Sequence, residues 1–463
     1  MPRAISTIAL VACLFAALLG AMAGALMAAS PADARKPAKR AKKASKHAKK
    51  PRITRFDLDG DGIRNARDRD VDGDGTRNVV DRDVDGDGQP NDYDHDIDAD
   101  GIENAFDADS DASGDEFRAA AATPAAPPGF VGLVSDDAFW GTDADPSRVG
   151  TIAAIAGTGA RVLRQSFYWS LIEPRPGRYD FSLYDGYVST AARANLSILP
   201  ILYDPPAFRS ARPASGARRG TYPPANYTDF ALFAAALVRR YGPGGEFWSQ
   251  HPELPQLPIR SWQVWNEPNI PVYWPTGPNP AEYAAMLRTV GEGIKAVDPG
   301  ATVITAGLNE SELGIKLVPF LQGMYRAGAK GSFDVLALHP YAPGSDLVTA
   351  QLNRAVRALR RNGDDARTIV TELGWATGGP SQRALVVSEQ GQSSLIRRTV
   401  SELARYRGRL RLDGVFYFNW RDVSAAPGSR DHWGLHTGLL REDGSAKPAM
   451  QALTDVTRAI TSG

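Results

Sequence analysis

The amino-acid sequence predicts an α/β fold, a (β/α)8 barrel over residues 129–463 with an Asp-rich calcium-repeat segment before it. Three observations predict the barrel. Eight short β-rich runs recur at residues 130–134, 161–166, 197–202, 261–265, 302–306, 334–338, 368–371 and 414–418. Helical patterns fill the intervals between them. No Gly-rich phosphate loop follows the first run, which counts against the doubly wound sheet that the same alternation could build. Eight strand–helix units over this length suit one closed parallel barrel with one large core.

Two helix starts are explicit. Asp145 precedes Pro146 and Asn279 precedes Pro280, so each capping side chain stands before a proline suited to the first helical turn. Further helices are expected at residues 227–241, 347–361 and 394–406.

The region before the barrel is built from unlike blocks. A formal net charge of +0 conceals a basic and an acidic stretch that cancel. Arg3 leads an apolar, Ala-rich run over residues 4–29, and Ala32 and Ala34 offer a small-residue cleavage site. Residues 1–34 therefore read as a signal peptide, and the protein as secreted or cell-surface associated. The one cysteine, Cys13, lies in that peptide, so the mature chain should rest on its core, on bound metal or on both, without disulfides. Residues 35–56 are Lys/Arg-rich without apolar period, a disordered basic linker that either only spaces or also touches an anionic lipid or cell-wall surface. No aromatic residue separates these charges, which argues against nucleic acid.

Residues 57–116 repeat with a period of thirteen. The first unit carries Asp57, Asp59, Asp61, Asn65 and Asp68; the second Asp70, Asp72, Asp74, Asn78 and Asp81. The third carries Asp83, Asp85, Asp87, Asn91 and Asp94; the fourth Asp96, Asp98, Asp100, Asn104 and Asp107. Alternate carboxylates on a tight loop converge on one point, and Gly62, Gly75, Gly88 and Gly101 permit the turn. Hard oxygen donors in this number suit structural Ca2+, with the later Asn and Asp closing the shell. One residue separates adjacent units, which leaves no room for the flanking helices of an EF-hand or dockerin. The segment resembles thrombospondin type 3 calcium repeats, but lacks their cysteines. An Ala/Pro-rich linker, residues 117–128, follows.

Chemistry in a (β/α)8 barrel gathers where strands end. There stand Arg164, Tyr203, Trp265-Asn266-Glu267-Pro268, His339-Pro340-Tyr341, Thr371-Glu372-Leu373-Gly374-Trp375 and Trp420. Glu267 and Glu372 close the fourth and seventh strands, which face each other across a barrel. Two carboxyls about 5–5.5 Å apart, one a proton donor and one a nucleophile, are what retaining glycoside hydrolysis needs.

These motifs look like those of clan A glycoside hydrolases, with the likeness strongest to families 5 and 39 and covering nearly all of residues 129–463. Family 5 often ends its third strand in His, where this chain has Tyr203-Asp204. The resemblance implies Glu267 as acid/base and Glu372 as nucleophile, with no cofactor in catalysis. It implies that Asn266 bonds the sugar 2-OH, that Arg164 and Tyr341 attend the nucleophile, that His339 belongs to the sixth-strand pair, and that Trp420 lies under the sugar ring. Tyr203 is a subsite candidate. The expected partner is a poly- or oligosaccharide. The competing reading is a carbohydrate-binding or adhesive protein that holds glycan without cleaving it.

Overall fold

The computed structural model describes residues 58, 63–78, 81–86, 91, 97–98, 125–139, 146–214, 220–380, 384–426 and 429–462. The signal peptide, the basic linker, residues 117–124, the cap Asp145 and the repeat residues Asp57, Asp59, Asp61, Asp87, Asp94, Asp96, Asp100, Asn104 and Asp107 lie outside them. The described residues belong to two compact units, one of residues 58–98 and one of residues 125–462.

In the larger unit eight strands pair in parallel, each with the next: β1 (Val131–Val134), β2 (Val162–Tyr168), β3 (Ser197–Tyr203), β4 (Ser261–Val264), β5 (Thr302–Ile304), β6 (Val335–Leu338), β7 (Arg367–Leu373) and β8 (Leu412–Tyr417). β8 pairs back onto β1, with Gly132 opposite Phe416. That closure excludes a doubly wound sheet.

The helices are α1 (Pro146–Gly157), α2 (Trp169–Ile172), α3 (Ser182–Arg193), α4 (Tyr227–Tyr241), α5 (Glu246–Gln250), α6 (Pro280–Val297), α7 (Leu317–Arg326), α8 (Ser345–Arg361), α9 (Glu389–Arg405) and α10 (Pro448–Thr461). Asn279 caps α6, its Oδ1 accepting from the amides of Ala281 at 3.0 Å and Glu282 at 3.3 Å. α9 starts at Glu389 rather than 394, because Ser388 caps it through a 3.0 Å bond from the Gly391 amide. Its first turn, Glu-Gln-Gly-Gln, carries no apolar signal. Residues 125–128, expected in the linker, already belong to the barrel unit: the Ala126 amide donates to the Ile460 carbonyl at 2.7 Å.

Alternation along each strand makes two cores. Val134, Leu199, Ile304, Val335, Ala337, Ile369 and Phe416 fill the barrel interior. Leu133, Leu163, Leu336, Leu338, Val370 and Tyr417 belong to the larger core shared with the helices. Gly132 is required where it stands, since a Cβ there would meet the Phe416 ring at 2.3 Å. No helix among the described residues is long and apolar enough to cross a membrane.

The smaller unit keeps the thirteen-residue period in its contacts. Leu58, Val71, Val84 and Ile97, thirteen apart, pack together, the last three fully buried. The three described asparagines each peg their unit. Asn78 Oδ1 accepts from the Val71 amide at 3.1 Å and its Nδ2 donates to the Asp68 carbonyl at 2.7 Å. Asn91 repeats both bonds, from Val84 at 2.9 Å and to Asp81 at 2.8 Å. Asn65 accepts from Leu58 at 3.1 Å. Here the sequence expectation is corrected. Asn65, Asn78 and Asn91 are 1%, 3% and 6% exposed; Asn78 and Asn91 spend both ends of their amides on backbone and Asn65 its oxygen, so they serve the scaffold rather than a metal shell.

The carboxylates are arranged differently. One oxygen each of Asp70, Asp72 and Asp74 lie within 4.8 Å of one another. Asp70 Oδ1 is buried with no hydrogen-bond partner. Burial raises the Asp72 carboxyl above its ordinary value, and the charges of Asp74, Asp81 and Asp70 push the same way, while the Asp74 amide opposes them. This donor set fits a hard cation of the Ca2+ type. Asp68 and Asp81 stand outside that group, each accepting from a backbone amide two residues on, at 3.1 Å and 3.0 Å.

Candidate active site

The barrel's inward pattern brings Arg164 of β2 into the interior, 1% exposed. An interior guanidinium must be paired, and each arm has a partner. Nε donates to Gln263 Oε1 at 2.8 Å, Nη1 to Glu372 Oε1 at 2.7 Å and Nη2 to Asn266 Oδ1 at 3.0 Å. One side chain thus ties β2 to β4 and β7.

Where β4 ends, the chain enters a strained turn. Trp265 and Glu267 adopt φ of 75° and 39°, and Asp204 at the end of β3 adopts 58°. Non-glycine residues pay on the order of 1–3 kcal/mol each for such geometry, and it concentrates where function over-determines the backbone. The turn aims Glu267 across the barrel mouth, where Oε1 accepts from Asn309 Nδ2 at 2.9 Å and lies 2.8 Å from His339 Nδ1. Glu372, from β7, faces it. Its Oε2 accepts from the Tyr341 hydroxyl at 2.9 Å and lies 3.6 Å from His339 Nδ1. One oxygen of Glu267 and one of Glu372 lie within 4.8 Å of each other, with His339 between them.

Opposing influences act on Glu372. Burial pushes Glu372 up, but His339, the Arg164 charge and the hydrogen bonds from Arg164 and Tyr341 prevail and hold it below its ordinary value. Burial and the two nearby carboxylates raise Tyr341 well above the ordinary phenol range, so it stays a donor. Beneath the pair, Thr371 Oγ1 contacts His339 Nε2 at 3.0 Å and accepts from Gln263 Nε2 at 3.3 Å. Gln263 Nε2 also donates to the Thr305 carbonyl at 3.1 Å, so its amide orientation is set from both ends. Gly307 leaves room for the imidazole, since a Cβ there would lie 2.0 Å from His339 Nε2.

The sequence-predicted residues fall into two groups. Glu267, Glu372, Arg164, Asn266, His339 and Tyr341 form one connected network. Tyr203 and Trp420 do not join it. Tyr203, 5% exposed, is enclosed by Tyr168, Trp265 and Tyr273 at ring separations of 5.4, 6.1 and 6.4 Å. Trp420, 2% exposed, packs in the large core, with its amide bonded to the Val134 carbonyl at 3.1 Å. The platform expectation for Trp420 is therefore corrected: β8 ends at Tyr417, and Phe418 follows Phe416 onto the barrel interior instead. A half-buried ring does stand beside the network, Trp433, whose centroid is 4.8 Å from that of Tyr341. Glu173, read as structural, is fully buried and held by Trp169, Gly177 and Arg209.

Asn309 and Gln263 were not singled out from sequence, and Thr371 was quoted only as part of the motif around Glu372. Gln263 and Thr371 sit on strands at inward positions, so alternation pointed to them. Asn309 lies in the loop after β5, where no period applies.

No protein-family model and no curated protein matches the chain. Solved structures share its fold. A family 39 glycoside hydrolase from Bacteroides cellulosilyticus superposes with TM-score 0.51 and 22% identity over 72% of this chain, which spans 64% of that protein's length. A β-xylosidase from Caulobacter crescentus gives 0.53 and 17% over 72% of this chain and 69% of its own. A glucosidase from Croceicoccus marinus gives 0.52 and 15% over 74% and 70%.

Proposed function

We propose that the barrel is a glycoside hydrolase that cleaves the O-glycosidic bonds of a poly- or oligosaccharide with retention of configuration. The observation that carries this reading is the approach of Glu267 and Glu372 to within 4.8 Å, from opposite strands, at the mouth of a closed barrel. That approach suits direct attack by one carboxylate, as in retaining hydrolysis, whose carboxyl groups stand about 5–5.5 Å apart against about 6.5–9.5 Å in inverting enzymes. The activities named for the similar folds are of the same class.

Glu372, kept ionised by Arg164 and Tyr341, attacks the anomeric carbon. The new ester C–O bond forms as the glycosidic C–O bond breaks, and Glu267 delivers its proton to the leaving oxygen. Glu267, now a carboxylate, takes a proton from water. The resulting hydroxide adds to the anomeric carbon and expels Glu372. A sugar hydroxyl in place of water gives transglycosylation. Asn266, held by Arg164, bonds the sugar 2-OH.

The repeat binds Ca2+ through Asp70, Asp72 and Asp74 and their counterparts in other units, and the ion stabilises that segment without entering the reaction. Residues 1–34 direct export, and residues 35–55 reach an anionic or cell-wall surface.

The test of the chemistry is a screen of the protein against a broad glycan panel, followed by variants. Glu372→Ala and Glu267→Gln each lose about 10⁴-fold or more in kcat. Azide rescues Glu372→Ala and yields a glycosyl azide of inverted configuration. Both variants retaining near-normal rates on a glycan the wild type cleaves would overturn the assignment.

A further inference from the structure

Glu267 is not held symmetrically. Both of its protein hydrogen bonds arrive at Oε1, from His339 Nδ1 and from Asn309 Nδ2. Among the described residues none donates to Oε2. We infer that Asn309 is a positioning residue that makes Oε2 the oxygen bearing the transferred proton. This rests on the reading of Glu267 as acid/base.

The orientation of the Asn309 amide is determined by its other contacts. Its Oδ1 accepts from the Ser311 amide at 3.0 Å, a group that can only donate. Asn269 Nδ2 also points at that oxygen, at 3.3 Å, and donates to the Asn309 and Ile315 carbonyls at 2.9 Å each. Those two carbonyls only accept, so the Asn269 end is an NH2. Reversing Asn309 would set an NH2 against the Ser311 N–H and an oxygen against the Glu267 carboxylate. The amide group nearest Glu267 is therefore a donor in every protonation state. Asn269 is fully buried and Asn309 is 7% exposed, so this frame is packed in place.

The consequence for Glu267 follows from which oxygen is occupied. A proton on Oε1 would face the Asn309 N–H. On Oε2 it meets no such donor among the described residues, and Oε1 keeps the Asn309 bond as a carbonyl oxygen. That donor thus survives the change of charge that acid/base catalysis imposes twice per turnover.

Asn309→Asp and Asn309→Ala test this, on a series of aryl glycosides of the sugar the wild type cleaves, graded by leaving-group pKa. The expected result for Asn309→Ala is a loss of kcat/KM of about 10- to 100-fold for poor leaving groups that shrinks toward none for activated ones, which need no proton. The alkaline limb of the pH–rate profile moves up, because one donor to the carboxylate is gone, and moves further in the near-isosteric Asn309→Asp, which adds a negative charge. An unchanged limb with an equal loss on every substrate is a structural effect and overturns the inference, as does wild-type behaviour in both variants. Glu267→Ala on the same series separates the two levels. If it too lacks leaving-group dependence, the acid/base reading fails. If it shows that dependence and the Asn309 variants do not, the inference alone fails.

Discussion

The two units hold their shape by opposite means. The barrel buries two concentric apolar shells, and its charged residues are brought inside in pairs, as Arg164 is with Glu372. The repeat buries one aliphatic side chain per thirteen residues and gathers like charges, as at Asp70, Asp72 and Asp74. Burial drives the first. The second has little apolar surface to remove from water and a repulsion that opposes folding, and the Ca2+ proposed above would supply what its core does not. Carboxylates are therefore arranged in opposite ways in one chain: in the barrel they are paired with cations of the protein itself, and in the repeat they are set beside one another.

The sharpest way to break this comparison is chelation. Removing Ca2+ from the full chain with EGTA should abolish the order of residues 57–116, seen as amide exchange approaching that of an unfolded chain, with barrel exchange and glycosidase activity unchanged. Equal protection in both units without Ca2+ would end the contrast. Within the barrel the next largest effect belongs to Gly307→Ala, whose methyl would lie 2.0 Å from His339 Nε2. We expect a loss of kcat of about 100-fold together with a lowered melting temperature, because a methyl forced against this buried ring displaces it from Glu267 and overpacks the site by about 1–3 kcal/mol.

A smaller effect follows from the depressed pKa of Glu372. Tyr341 donates to its ionised form, so Tyr341→Phe should raise that pKa, move the acidic limb of kcat/KM to higher pH and cut kcat by about tenfold. The sign for stability agrees. A depressed carboxyl contributes stability that is present above its unfolded-state value and lost as pH falls through its folded one, and the variant narrows that window. The smallest effect is Asn78→Ala in the repeat, expected to cost about 1–3 kcal/mol through the Val71 amide and Asp68 carbonyl it leaves unpaired, read as a raised Ca2+ midpoint for folding.

What could be read in advance follows the same division. Strands carry a period, so the barrel and the facing of Glu267 and Glu372 were legible from runs of β-branched residues and the polar residues that close them, whereas the place of Arg164 and Tyr341 beside Glu372 came from the resemblance to clan A glycoside hydrolases. Trp420 was misplaced because it lies three residues past the end of β8, where alternation no longer says which way a side chain points. Asn309 was missed for the same reason after β5. The repeat was a different case. The spacing of Leu58, Val71, Val84 and Ile97 was in plain view, but the carboxylates drew the reading, and Asn78 and Asn91 were assigned to the ion when their amides were needed by the chain.

The pegging of three successive units by their own asparagines makes length in that segment a quantised property. A deletion of thirteen residues removes one peg with its aliphatic and its acids and rejoins like to like, whereas a deletion of twelve or fourteen would set a carboxylate where the buried valine must go. Gene duplication can therefore stretch or shorten this segment only in whole steps, and natural length variants should differ by multiples of that step.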